Sequence, residues 1–94
     1  MEQKYFIVRA DRAGVFFGQI KEKTATSVIM TNVRKVHYWE AAAAVEQMSQ
    51  DGLSQTKSRL TVIVPEMEIA SPIQIIECTE KATANMKGCK EWKK

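Results

Sequence analysis

AGVFFGQIKEKTATSVIMTNVRKVHYW, residues Ala13 to Trp39, decides the fold. Over Val15 to Lys21, Phe16, Gly18 and Ile20 point one way while Val15, Phe17 and Gln19 point the other, the period of a strand. Gly18 weakens such a strand unless a sharp bend or a close backbone approach uses its missing side chain, which predicts strong curvature. Lys21 to Thr26 (KEKTAT) is a polar hairpin connection, and Ser27 to Val33 (SVIMTNV) resumes sheet-favouring composition. Arg34 to Trp39 (RKVHYW) can prolong that strand, with Arg34, Val36 and Tyr38 on one face and Lys35, His37 and Trp39 on the other. The stretch therefore runs from a bent hairpin into a basic, aromatic knot.

Working outward, Tyr5 to Val8 (YFIV) reads as a preceding strand and Ala10 to Gly14 as the turn that joins it, giving three consecutive antiparallel strands. The segment EAAAAVEQMSQ after Trp39 predicts a helix, because alanine has the highest helix propensity and Ala41, Ala44, Val45 and Met48 recur at helical spacing. Gly52 is placed to end it in a left-handed cap, with Leu53 folding back over the helix end. Leu60 to Val64 (LTVIV) is a fourth strand, and Pro65 marks an edge or an end. Glu66 to Ala70 alternates acidic and apolar residues, Ser71 and Pro72 turn the chain, and Ile73 to Cys78 is a further strand. Thr79 is a suitable N-cap for a short helix over Glu80 to Met86. The expected fold is α+β: a strongly bent antiparallel sheet or small, partly open barrel of about five strands, one helix after the third strand and a short C-terminal helix.

At 94 residues the chain is expected to be a single domain, 1–94, with 45% apolar and 27% charged residues. A domain this small hides roughly 60–65% of the surface its unfolded chain exposes, so its core is thin and a homo-oligomer is expected. The first apolar run is broken by Arg9 and is too short for a signal peptide or a membrane span, which points to the cytoplasm. A net charge of +3 tolerates an anionic partner without demanding one. Cys78 and Cys89 lack metal-ligand spacing and are expected as free thiols in a reducing compartment.

No sequence pattern of a hydrolase, a zinc site or a phosphate loop is present, and His37 is the one imidazole, so the chain reads as a non-enzyme with no cofactor and no metal. The strongest candidate for binding is the knot itself. Arg34, Lys35, His37, Tyr38 and Trp39 combine phosphate donors with rings on which a base can stack, and Arg9 and Arg12 can add charge. Arginine beside aromatics is also what protein interfaces favour. Trp39 has a competing role as a plug between helix and sheet, and Trp92 in the tail either docks into the core or anchors an interface.

Val8 to Ile20 (VRADRAGVFFGQI), followed by Val28, Met30 and Asn32 on alternate positions, resembles the first three strands of Sm-like RNA-binding barrels. That likeness implies strand order and no site residue. RAGVFFGQI, TNVRKVHYWEAAA and IQIIECTEKATANMKG, followed by Trp92, resemble a family of small uncharacterised proteins encoded by bacteriophages and prophages. The resemblance implies a phage protein acting in the bacterial host cytoplasm against a host defence system, either by sequestering a small signalling nucleotide or by binding and inhibiting a host protein. The alternative is a nucleic-acid-binding module of phage origin.

Overall fold

The computed structural model describes residues 4–93. Its elements run β1 (Phe6–Ala10), β2 (Gly14–Lys23), β3 (Ser27–Tyr38), α1 (Val45–Asp51), β4 (Arg59–Leu60), β5 (Val64–Ala70), β6 (Pro72–Glu77) and α2 (Glu80–Lys87). All pairings between these strands are antiparallel. The order β4-β3-β2-β1-β6 is joined by β5, which pairs with the first half of β3 while β4 takes the second. β5 and β6 thus occupy opposite ends of the sheet although Ser71 alone separates them in sequence, so the sheet must curl strongly. It remains open, as expected, and has one short strand more than the sequence suggests.

The curvature has an identifiable source. Gly18 faces the Asn32–Val33 step of β3, where the register jumps by one residue. A Cβ on Gly18 would stand 2.8 Å from Val33 Cα, so only glycine permits this close approach. Asn32 adopts φ 48°, a left-handed conformation that asparagine tolerates better than most residues. This bulge swings β3 over and inverts which of its residues face each side. Val28 and Met30 lie on the face inside the curl, and beyond the bulge Val33 stays there while Arg34 and Val36 turn to the other.

Two apolar clusters result. One, inside the curl, contains Val8, Ala10, Phe16, Val28, Met30, Val33 and Ile69. The other lies between the sheet and the two helices, and includes Tyr5, Ile7, Phe17, Val36, Met48, Leu60 and Met86. Phe16 and Phe17 are thereby divided between them, as strand alternation requires.

Four local expectations are corrected. The alanine run is not helical: Ala41 has φ 72°, Ala44 is an extended N-cap at φ −154°, and α1 begins only at Val45. Tertiary bonds outweigh propensity here, since the Trp39 indole donates to the Ala42 carbonyl at 3.1 Å and the Ala43 N–H donates to Gln47 Oε1 at 2.8 Å. The fourth strand is cut to Arg59–Leu60, because the carbonyl of Thr61 accepts from Arg34 and its hydroxyl accepts from the Lys35 N–H. Pro65 consequently does not close a strand but lies within β5, at the sheet edge. Thr79 accepts from the Ala82 N–H at 3.1 Å and caps α2 as expected, whereas Gly52 ends α1 at φ 84° and ψ −158°, a positive-φ conformation other than the expected left-handed one.

Candidate functional site

β3 keeps its strand geometry as far as Tyr38, and the knot is thereby spread over two sides of the sheet. Arg34 goes inward. It is 1% exposed, and its guanidinium donates to three backbone carbonyls: Thr61 at 2.9 Å, Met86 at 2.9 Å and Leu60 at 3.5 Å. Met86 belongs to the last turn of α2, where the helix's unpaired carbonyls favour a cation. Arg34 thus ties the sheet, the 60–61 segment and α2 together, and the sequence expectation that it presents phosphate donors to solvent is corrected. Burial lowers its pKa, while the neighbouring Cys89 and Glu91 act to raise it.

Trp39 is half-buried and packs against the helix-covered cluster, the plug role. A register shift between Val36 and Tyr38 brings it to the same cluster as Val36, whereas simple alternation would send it to the opposite face. Lys35 is half-buried beside Gly14. Arg9 is exposed on β1, two strands from β3 and so roughly 10 Å away. Arg12 is exposed in the turn after β1, at φ 68°. Among the described residues neither arginine makes a cation–π contact or an ion pair with a residue of the knot.

What does converge is His37, Tyr38 and two residues distant in sequence. The His37 and Trp92 rings stack with centroids 4.7 Å apart and planes inclined by 15°. The Arg59 guanidinium carbon lies 5.6 Å from the Trp92 ring centroid and 5.9 Å from that of Tyr38. Both distances fall within the range of cation–π attraction. Tyr38 donates its hydroxyl to the Glu40 carboxylate, which raises the phenol pKa. Trp92 is 41% exposed and Tyr38 45%. Trp92 therefore does not dock into the core. Its N–H donates to the Leu60 carbonyl at 2.8 Å, and Glu91 forms a parallel bridge with Leu60, so backbone pairing to β4 holds the tail. Beside the platform, Tyr38, Glu40, Thr56, Lys57, Ser58 and Arg59 line a solvent-open hollow of about 480 Å³.

Arg59 is the residue that sequence reasoning passes over. In sequence it reads as the end of a polar stretch before an apolar one, whereas it pairs with Tyr38 as the first residue of β4, and its aromatic partners are set by that tertiary pairing.

A family model described as a domain of unknown function, DUF6948, matches residues 3–86. The chain belongs to the DUF6948 family. No curated protein and no solved structure matches it. Trp92 lies beyond the residues matched to DUF6948, whereas His37, Tyr38 and Arg59 lie within them.

The rings and the guanidinium at this surface are suited to stacking and cation–π contacts. Among the described residues, no three His, Cys, Asp or Glu side chains gather where they could hold a metal ion. The two cysteines are buried free thiols, and burial drives the Cys78 pKa up to about 12, so that its nucleophilic thiolate is suppressed. Cys89 is shifted upward for the same reason, against the opposing pull of Arg34.

Proposed function

We infer that this chain is a non-enzymatic binding module whose recognition surface is the His37–Trp92–Arg59–Tyr38 platform, and that its partner is a protein. The observation that carries this reading is Arg59 lying within cation–π reach of both Tyr38 and Trp92, with His37 stacked on the latter. Tryptophan, tyrosine and arginine are the residues most enriched among interface hot spots, and rings already stacked on one another lose little freedom on docking. The mutual stacking also favours a protein over a nucleobase. A ring face covered by a neighbour is not free for a base, and Arg34 has committed its donors to carbonyls.

The resemblance to phage-encoded proteins makes a bacterial host defence protein the first partner class to test, with the host cytoplasm as the place of action. A homo-oligomer belongs to the same reading, since β5 and β6 each leave one edge without a partner strand among the described residues.

The test is quantitative affinity capture from host extract with the parent chain, Arg59→Ala, Trp92→Ala and Glu68→Ala, the last on β5. A single host protein is expected to be recovered with the parent and Glu68→Ala, and at least about tenfold less with the other two, in line with hot-spot magnitudes. Native mass spectrometry of the same preparations gives subunit count and any retained small molecule. Equal recovery by all four chains refutes the surface assignment. A co-purified nucleotide or nucleic acid lost from Arg59→Ala and Trp92→Ala would replace the protein partner with sequestration or nucleic-acid binding.

A further inference from the structure

The cavity next to Arg34 is independent of the aromatic platform. It has a volume of about 200 Å³ and is lined by Tyr5, Phe17, Asn32, Arg34, Ile63 and Lys87. Liquid water occupies about 30 Å³ per molecule, so the space suits a compact organic molecule. Two of its six lining residues are cations and none is a carboxylate.

Arg34 takes part in none of the four ion pairs among the described residues, which all join exposed side chains. Its neighbour Glu91 spends its carboxylate elsewhere, accepting from the Ile63 N–H at 3.2 Å and pairing with Lys93 at 3.7 Å. Carbonyl dipoles satisfy the donors of Arg34 but do not neutralise its charge. An interior cation without a contacting anion projects a positive field that water screens weakly.

The walls add a second requirement. Tyr5 and Phe17 stack with centroids 4.9 Å apart, and Ile63, 49% exposed, stands at the cavity. Asn32, the left-handed residue of the β3 bulge, donates one amide N–H to Gln19 Oε1 at 2.6 Å and has its second to offer, and bulges commonly re-aim side chains at binding sites.

A comparison within the molecule sharpens the assignment. Tyr5 and Lys87 also line a larger groove of about 460 Å³, but there Glu77 and Glu80 offset Lys4 and Lys87, and Lys4 is already paired with Glu77 at 3.6 Å. Carboxylates there oppose an anion. Lys87, whose ammonium lies 5.1 Å from the Tyr5 ring centroid, is a wall of both hollows.

We propose that the cavity bounded by Tyr5, Phe17, Asn32, Arg34, Ile63 and Lys87 binds a small organic monoanion, a carboxylate with a compact apolar body. Lys87 and Asn32 contact the carboxylate, Arg34 contributes its field, and the Tyr5–Phe17 pair and Ile63 hold the apolar part.

The test titrates ¹⁵N-labelled protein with benzoate, its neutral isostere benzamide, and inorganic phosphate, at low ionic strength and up to roughly 10 mM, ten times a millimolar Kd. Benzoate is expected to give saturable amide shifts centred on Asn32, Ile63 and Lys87, with benzamide and phosphate giving none. Lys87→Gln, at an exposed position, should weaken benzoate at least about tenfold with the spectrum otherwise intact, and Lys87→Glu should weaken it further. Equal responses to benzoate and benzamide, a preference for phosphate, shifts centred elsewhere, unchanged affinity in Lys87→Gln, or no saturable response would each overturn the proposal.

Discussion

The two sides of the sheet are packed by different rules. Inside the curl, Val8, Phe16, Val28, Met30, Val33 and Ile69 form an apolar cluster supplied by strands alone. On the helix side, larger residues such as Tyr5, Phe17, Met48 and Met86 are mixed with a buried arginine and a buried serine. A strand-lined interior is held by ladders on several sides and has little freedom to adjust. A face covered by helices of seven and eight residues can shift. The sheet thus separates a cluster built from strands alone from one that strands and helices share. On the helix side Arg34, the 200 Å³ cavity and the bond to α2 come together.

That division can be broken most directly by equal truncations on either side. Met30 and Met48 are both fully buried, one in each cluster. Met30→Ala is expected to lower unfolding free energy by about 4 kcal/mol and Met48→Ala by about 2 kcal/mol, spanning the usual range according to how far each site can collapse. Urea denaturation of the two variants measures the difference, and equal losses would dissolve the distinction.

Replacing the charge itself gives a smaller effect. Arg34→Met keeps bulk and removes the donors, leaving the Thr61 carbonyl without its donor while Leu60 and Met86 keep only the N–H groups of Trp92 and Cys89, and should cost about 2 kcal/mol. A gain in stability on chemical denaturation would instead show that the buried guanidinium is retained at the expense of the fold.

The smallest expected effect is at the joint between the helices. The Thr79 hydroxyl accepts from the Ala82 N–H and donates to the Gln50 carbonyl at 2.7 Å, so it caps α2 and fastens it to the end of α1. Thr79→Ala should cost about 1 kcal/mol by thermal melting, and leave amide exchange within the strand-lined cluster unchanged.

The hairpin was legible because its information is local. Alternation placed Phe16 and Phe17 on opposite faces, and a glycine within a strand announced close approach. The helix over Ala41–Ala44 was misread because propensity is weak against tertiary bonds, here those of Trp39 and Gln47. The fate of the knot was illegible for a related reason. Whether Arg34 points at solvent depends on an offset of one residue at Asn32, which inverts every position after it. Arg59 and Trp92 meet only because the tail pairs with β4, a contact without a local signature.

The place of β1 between β2 and β6 also governs the order in which these strands can assemble. β1 lies between β2, which follows it directly, and β6, whose Glu77 is the register partner of Phe6. The first hairpin can form from local contacts while one flank of β1 waits for the last third of the chain to arrive. Closing so long a loop is entropically slow. During synthesis, β1 therefore stays half-satisfied until the residues of β6 have been made.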